Sequence, residues 1–99
     1  MLIHSVFFWL KPEATDAQRA AMLRGIESLR SIQAVEALYC GTPAGLEVRP
    51  VRESSYDFGL TVLFKDVAAH DAYQIDPLHA AFNQDFRPLW SRVQVYDVS

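Results

Sequence analysis

The residues best suited to chemistry sit together in AYQIDPLHAAF, residues 72–82, which holds Tyr73 and His79 on either side of an Asp-Pro pair. Asp76 before Pro77 reads as a helix start, because aspartate is a favoured N-cap and proline at N1 forfeits no hydrogen bond. His79 then falls at N3, in the first turn. The partial positive charge of a helix N-terminus opposes protonation of the ring, and apolar surroundings push the same way. Asp76 partly offsets both. The expectation is a mostly neutral imidazole, fit to act as a general base near neutral pH. Phe82 and Phe86 follow on the same face, so the base would stand in a water-poor pocket suited to removing a proton beside a carbonyl. Tyr73, ending the preceding helix, is spaced to donate its hydroxyl to the oxygen where charge develops. A bland reading stands beside this one: a histidine at N3 satisfied by backbone, and a tyrosine with a structural partner.

His4 lies in LIHSVFFWL, residues 2–10, a run of β-branched and aromatic types that suits a strand. Alternation puts Leu2, His4, Val6, Phe8 and Leu10 on one face and Ile3, Ser5, Phe7 and Trp9 on the other. Where the first face meets the helices, His4 looks into the space of Tyr73 and His79. YDFGLTVLF, residues 56–64, reads as another strand, with Tyr56, Phe58, Leu60, Val62 and Phe64 on one face. The expected site is therefore His79 and Tyr73 as the reactive pair, with His4, Val6, Phe8, Phe58, Leu60, Phe82 and Phe86 around a ligand.

The intervening segments supply the scaffold. Thr15-Asp16-Ala17-Gln18 has capping-box spacing and opens a helix from about Asp16 to Ser31, with Met22, Ile26 and Leu29 on its apolar stripe. Ala34 to Cys40 reads as a strand. GTPAGLEVRPVRESS, residues 41–55, is a long connection in which Arg49, Arg52 and Glu53 are exposed. Asp66 caps a short helix from Val67 to about Gln74, and the helix after Asp76 buries Leu78, Phe82, Phe86 and Leu89. Arg92 to Val98 alternates as a last strand. The order β-α-β-β-α-β is the ferredoxin-like split unit, an α+β fold with a four-stranded antiparallel sheet in one domain, residues 1–99. Its helices cover only one sheet face. The other carries Ile3, Phe7, Trp9 and Leu63, too apolar for water, and burial of one such aromatic is worth roughly 1.5–3 kcal/mol. The expectation is a homodimer packed through the face bearing Ile3, Phe7 and Trp9.

The formal charge of −3 comes from interspersed acids and bases, which argues against a nucleic-acid partner. No apolar run approaches the ~18 residues that span a bilayer, and the opening segment has no basic start or cleavage site, so neither membrane nor secretion is expected. The lone Cys40 suits a reducing, cytoplasmic setting and reads as a core thiol. His70 reads as a solvated helix residue. The three histidines show no i, i+2 or i+4 pairing, and a single cysteine excludes a closed structural zinc site. No glycine-rich phosphate loop or nucleophile elbow is present. No metal and no cofactor are expected.

IHSVFFWLK, YDFGLTVLFKD and AYQIDPLHAAF, taken together, resemble the stress-responsive A/B barrel domain, Dabb, over essentially the whole chain. The most telling parts are His4 at the strand start, Tyr73, Pro77 and His79 in a Y-x-x-x-P-x-H arrangement, and Phe82 after them. The resemblance implies a ferredoxin-like subunit paired into a dimeric α+β barrel. It also implies a fold in which plant members cyclise polyketides without a cofactor, using a tyrosine and a histidine that match Tyr73 and His79, with the residue matching His4 in the pocket. The family usually has histidine before the proline, where this chain has Asp76. The functional expectation is a small dimer binding an apolar, carbonyl-bearing molecule, and, as an enzyme, a cofactor-free cyclase or lyase. The alternatives are a non-catalytic ligand-binding or stress-protective dimer and a cofactor-free monooxygenase of a related barrel type.

Overall fold

The computed structural model describes residues 1–99. The elements are β1 (Leu2–Leu10), α1 (Asp16–Ser28), β2 (Ala37–Gly41), β3 (Phe58–Phe64), α2 (Val67–Ile75), α3 (Pro77–Phe86) and β4 (Trp90–Val98), with 3₁₀ turns at Leu29–Ser31 and Arg87–Leu89. The strands form one antiparallel sheet in the order β2-β3-β1-β4. This is the ferredoxin-like arrangement expected from the element order, with its second helix broken in two.

The break lies at Asp76, whose ψ of 137° is extended. A residue before proline is driven out of the α region, so the chain must leave α2 there and begin α3 anew. The Asp76 carboxylate accepts from the Leu78 N–H at 2.8 Å, closing the new N-terminus. At α1 the capping box forms as the spacing implies: Gln18 N–H donates to Thr15 Oγ1 while Gln18 Oε1 accepts from Thr15 N–H. Met22 and Ile26 of α1, then Leu29, meet Val62 and Phe64 of β3 in a core closed to water. Gly25 lets α3 approach, since a Cβ there would stand 2.5 Å from Phe86 Cε2.

Several boundaries differ from the sequence reading. Helix α1 tightens into the 3₁₀ turn after Ser28, and β2 starts at Ala37 because Ile32–Val35 turns, with Val35 N–H donating to the Ile32 carbonyl. Tyr56 leaves the Phe58 face and packs on Phe7, ring centroids 4.9 Å apart. The cause is Asp57: its N–H donates to the Phe8 carbonyl and its carboxylate takes the Leu10 N–H and Arg19, which bends the chain before β3 begins. Leu78 is 36% exposed, not buried, because N2 of α3 points away from the sheet while N3 points in.

The Cα trace measures 35 × 30 × 17 Å, a slab one sheet and one helix layer thick. Its accessible surface is 6305 Å², against about 5,700 Å² for a compact monomer of this mass. The exposed apolar residues include Leu46, Val48 and Val51 in the segment between β2 and β3, and Ile3, Tyr39 and Tyr96 on the sheet face away from the helices, where Phe7, Trp9 and Leu63 are half-buried. That face is less naked than the sequence suggests. Arg92 lies 4.2 Å over the Trp9 ring, and the Trp9 indole donates to Ser55 Oγ at 2.9 Å.

Candidate functional site

Strand β1 and the α2–α3 junction bring His4, Tyr73 and His79 to one place. Tyr73 ends α2 and is 1% exposed; His79 opens α3 as N3, and their rings lie 4.6 Å apart centroid to centroid. His4 packs edge-on to Tyr73 at 6.2 Å. Between them and the sheet lies a cavity of about 170 Å³, lined by His4, Val6, Phe8, Leu60, Tyr73, His79 and Phe82 among others. Two residues expected at the pocket do not border it. Phe58 is buried opposite Phe8 on β3 without reaching the cavity, and Phe86 is spent against Gly25 and the Phe82 ring.

Burial depresses the pKa of His79, the largest cause, and the nearby His4 and His70 push it the same way. The Gln74 carbonyl and the Asp76 charge oppose this. The carbonyl is not in hydrogen-bonding geometry with His79 Nδ1, which is buried and has no partner. The imidazole is therefore held toward its neutral form with one nitrogen unused. Burial alone pushes the Tyr73 hydroxyl up to about 12, so it is a proton donor throughout the neutral range. Trp90 Nε1, on a ring that also lines the cavity, is a second buried polar atom without a partner. An unpaired buried donor or acceptor costs about 1–3 kcal/mol. Both belong to residues that line the cavity, and both nitrogens are themselves closed to water.

Sequence reasoning missed several members. Asp97 Oδ1 lies 2.5 Å from His4 Nδ1 and fixes that ring from across the β1–β4 pair, where the two residues are in register. The signal was there in the strand alternation, since Asp97 shares the phase of Val93 and Val95 and is an acid where an apolar residue was due. Val93 and Val95 line the cavity yet are 37% and 45% exposed, so the helices leave its β4 side open. Gln74, Asn83 and Arg87 give it a polar border, and Leu29 and Trp90 complete the wall. His70 is not the solvated residue expected: it packs edge-on to His4 at 5.3 Å and to Phe64 at 5.6 Å. Cys40 is partly buried and packs against the core at its edge, and desolvation with a hydrogen bond to Glu27 raises its pKa to about 11, leaving an unreactive thiol.

A four-stranded antiparallel sheet with helices on one face and a histidine-lined cavity between the layers defines a ferredoxin-like α+β protein. Residues 2–99 match the stress responsive A/B barrel domain, and the chain belongs to that family, Dabb. Olivetolic acid cyclase of Cannabis sativa is 25% identical over 95 residues, which is 95% of this chain and 91% of the cyclase. Among solved structures, a dimeric ferredoxin-like protein of unknown function from Thermobifida fusca superposes with a TM-score of 0.84 at 19% identity, covering 99% of this chain and 89% of the other. The hydroxynitrile lyase of Passiflora edulis gives 0.82 at 19% identity, covering 98% and 90%. No helix is long and apolar enough to cross a membrane.

Proposed function

We propose that this protein is a homodimer that binds an apolar, carbonyl-bearing small molecule between sheet and helices and removes an α-proton from it. His79 is the base, and the Tyr73 hydroxyl donates to the enolate oxygen. His4, oriented by Asp97, positions the ligand. The observation that carries the reading is the His79 ring in the cavity wall, 4.6 Å from the Tyr73 ring and held by burial toward its neutral form. That a relative is a cyclase supports a catalytic reading, and a dimeric relative of the same fold supports the assembly.

Cavity size sets the ligand class. A space of about 170 Å³ lies below the ~300 Å³ at which ligand pockets usually begin and near the ~150 Å³ that admits one benzene-sized ring. The enclosed part of this space suits a single ring or a short chain bearing a ketone or aldehyde, and the open β4 side leaves room for a longer tail. The same figure favours a second reading, a ligand-binding or protective dimer in which nothing turns over. Deuterium uptake separates the two. With phenylacetone in heavy water, proton NMR of the wild-type protein should show loss of the α-protons well above the buffer rate, and His79→Ala should return it to background with the dimer intact. Exchange at the buffer rate, or undiminished in His79→Ala, rejects His79 as the base.

A further inference from the structure

We propose that His4, His70 and Asp97 form a binding site for a divalent transition-metal ion at the rim of the cavity. The residues come from three elements, β1, α2 and β4, and one ligating atom from each lies within 4.8 Å of the others. Two imidazoles and one carboxylate are a donor set used by zinc and by non-haem ferrous iron, and a set of three leaves a coordination position open. His4 belongs also to the cavity wall, so a bound ion would border the ligand space.

His70 carries the inference. The His4–Asp97 contact by itself is a hydrogen-bonded pair, but His70 has no need to face it. Its ring is nonetheless turned inward, braced by Phe64 and edge-on to His4. Behind it, Asp71 Oδ1 lies 3.1 Å from Nδ1, and the Gln74 amide nitrogen lies 3.4 Å from Nε2. The Asp71 contact favours the tautomer with the proton on Nδ1 and the lone pair on Nε2, and an ion bound there would displace the long Gln74 contact. A carboxylate behind a histidine is the usual outer-shell support of a metal-ligating imidazole. Around a tetrahedral ion with bonds of ~2.1 Å, ligand atoms stand about 3.4 Å apart. His4 Nδ1 and Asp97 Oδ1, now 2.5 Å apart, would separate by about an ångström. Asp97 has room to do so, since its side chain is 45% exposed near the chain end.

The proposal is independent of whether His79 acts as a base, because its test reads metal binding and not turnover. Tag-free full-length protein is titrated with cobalt(II) chloride, following visible absorption and isothermal heat. One equivalent per chain is expected, with micromolar affinity. Binding should vanish in His70→Ala and in Asp97→Asn, and should weaken by roughly 10–100-fold in Asp71→Asn. Far-UV circular dichroism establishes that each variant is folded. Should His70→Ala not fold, the exposed Asp97→Asn and Asp71→Asn decide the matter. Cys40→Ser should bind as wild type does. No saturable binding below millimolar cobalt, or binding that survives both His70→Ala and Asp97→Asn, overturns the site. Loss of binding in Cys40→Ser reassigns the ion to the thiol and overturns it equally.

Discussion

Replacing Tyr73 by phenylalanine distinguishes a hydroxyl kept for chemistry from one kept for structure. A buried tyrosine ordinarily hydrogen-bonds, and deleting that bond removes about 0.5–1.5 kcal/mol of stability. The Tyr73 side chain is 1% exposed, and burial is the sole influence on its acidity, with no hydrogen bond to offset it. Tyr73→Phe should therefore change the unfolding free energy at neutral pH by less than ~0.5 kcal/mol, or raise it. The alkaline limb adds a second signature. The pKa rises from 10.0 unfolded to about 12 folded, so the folded state holds this proton more tightly. The associated stability is fully present below pH 10 and is lost as pH climbs through about 12. A shift of this size corresponds to at most ~3 kcal/mol, and the variant should lack that portion of the decline. Urea unfolding of both proteins, at one protein concentration so that dimerisation does not bias the comparison, measures each quantity. If the hydroxyl also stabilises the enolate, α-proton exchange should fall by ~10²–10³. A stability loss above ~1 kcal/mol at neutral pH would give the hydroxyl a structural partner and refute the reasoning. Full exchange in Tyr73→Phe would refute its role as donor.

Three further substitutions test other parts of the account. Asp76→Asn keeps an N-cap acceptor for Leu78 but removes the negative charge that, with Gln74, holds the His79 pKa up against burial, His4 and His70. Since His79 must be unprotonated to act, the acid limb of the exchange rate should move to lower pH, and a limb that stays put means that another group titrates. Phe7→Asp places a charge on the bare sheet face and should convert the proposed dimer to monomer in light scattering; a dimeric mass that persists in the variant would put the interface elsewhere. Gly25→Ala gains about 1 kcal/mol of helix propensity, but its Cβ would meet Phe86 Cε2 at 2.5 Å. Overpacking of that kind costs ~1–3 kcal/mol, so urea melts should show a net loss of up to ~2 kcal/mol. A gain would mean that Phe86 is free to swing aside.

What the sequence disclosed and what it withheld divide along one physical line. Periodicity reports which side of an element a residue occupies, because the strand and helix repeats are fixed by local geometry. Hence His4, Val6 and Phe8 were placed on one face of β1, and the Asp76-Pro77 pair located the α2–α3 break and His79 at N3. What lies across from a face is set by tertiary packing, which no local repeat records. His70 reads as solvated on its own helix, and only the docking of α2 against β1 turns it toward His4. Asp97 becomes the partner of His4 through the β1–β4 register, a pairing between the two ends of the chain. Phe58 and Phe86 share the expected face yet miss the cavity, because a shared face does not fix which neighbours a side chain meets: Phe58 packs opposite Phe8, and Phe86 against Gly25 and Phe82. Tyr56 failed for a related reason: alternation holds only while the strand does, and Asp57 breaks it by bonding Phe8, Leu10 and Arg19 at once. A search for ligands by chain spacing could therefore find neither the His4–His70–Asp97 cluster nor the orphaned Trp90 nitrogen, since each is created by strands and helices meeting. The test that follows is direct. Shortening β4 from its C-terminus to remove Asp97 leaves every local pattern around His4, Tyr73 and His79 untouched, so if those patterns alone made the site, ligand binding should survive the deletion. The packing account expects His4 to lose its fixed orientation and binding to weaken.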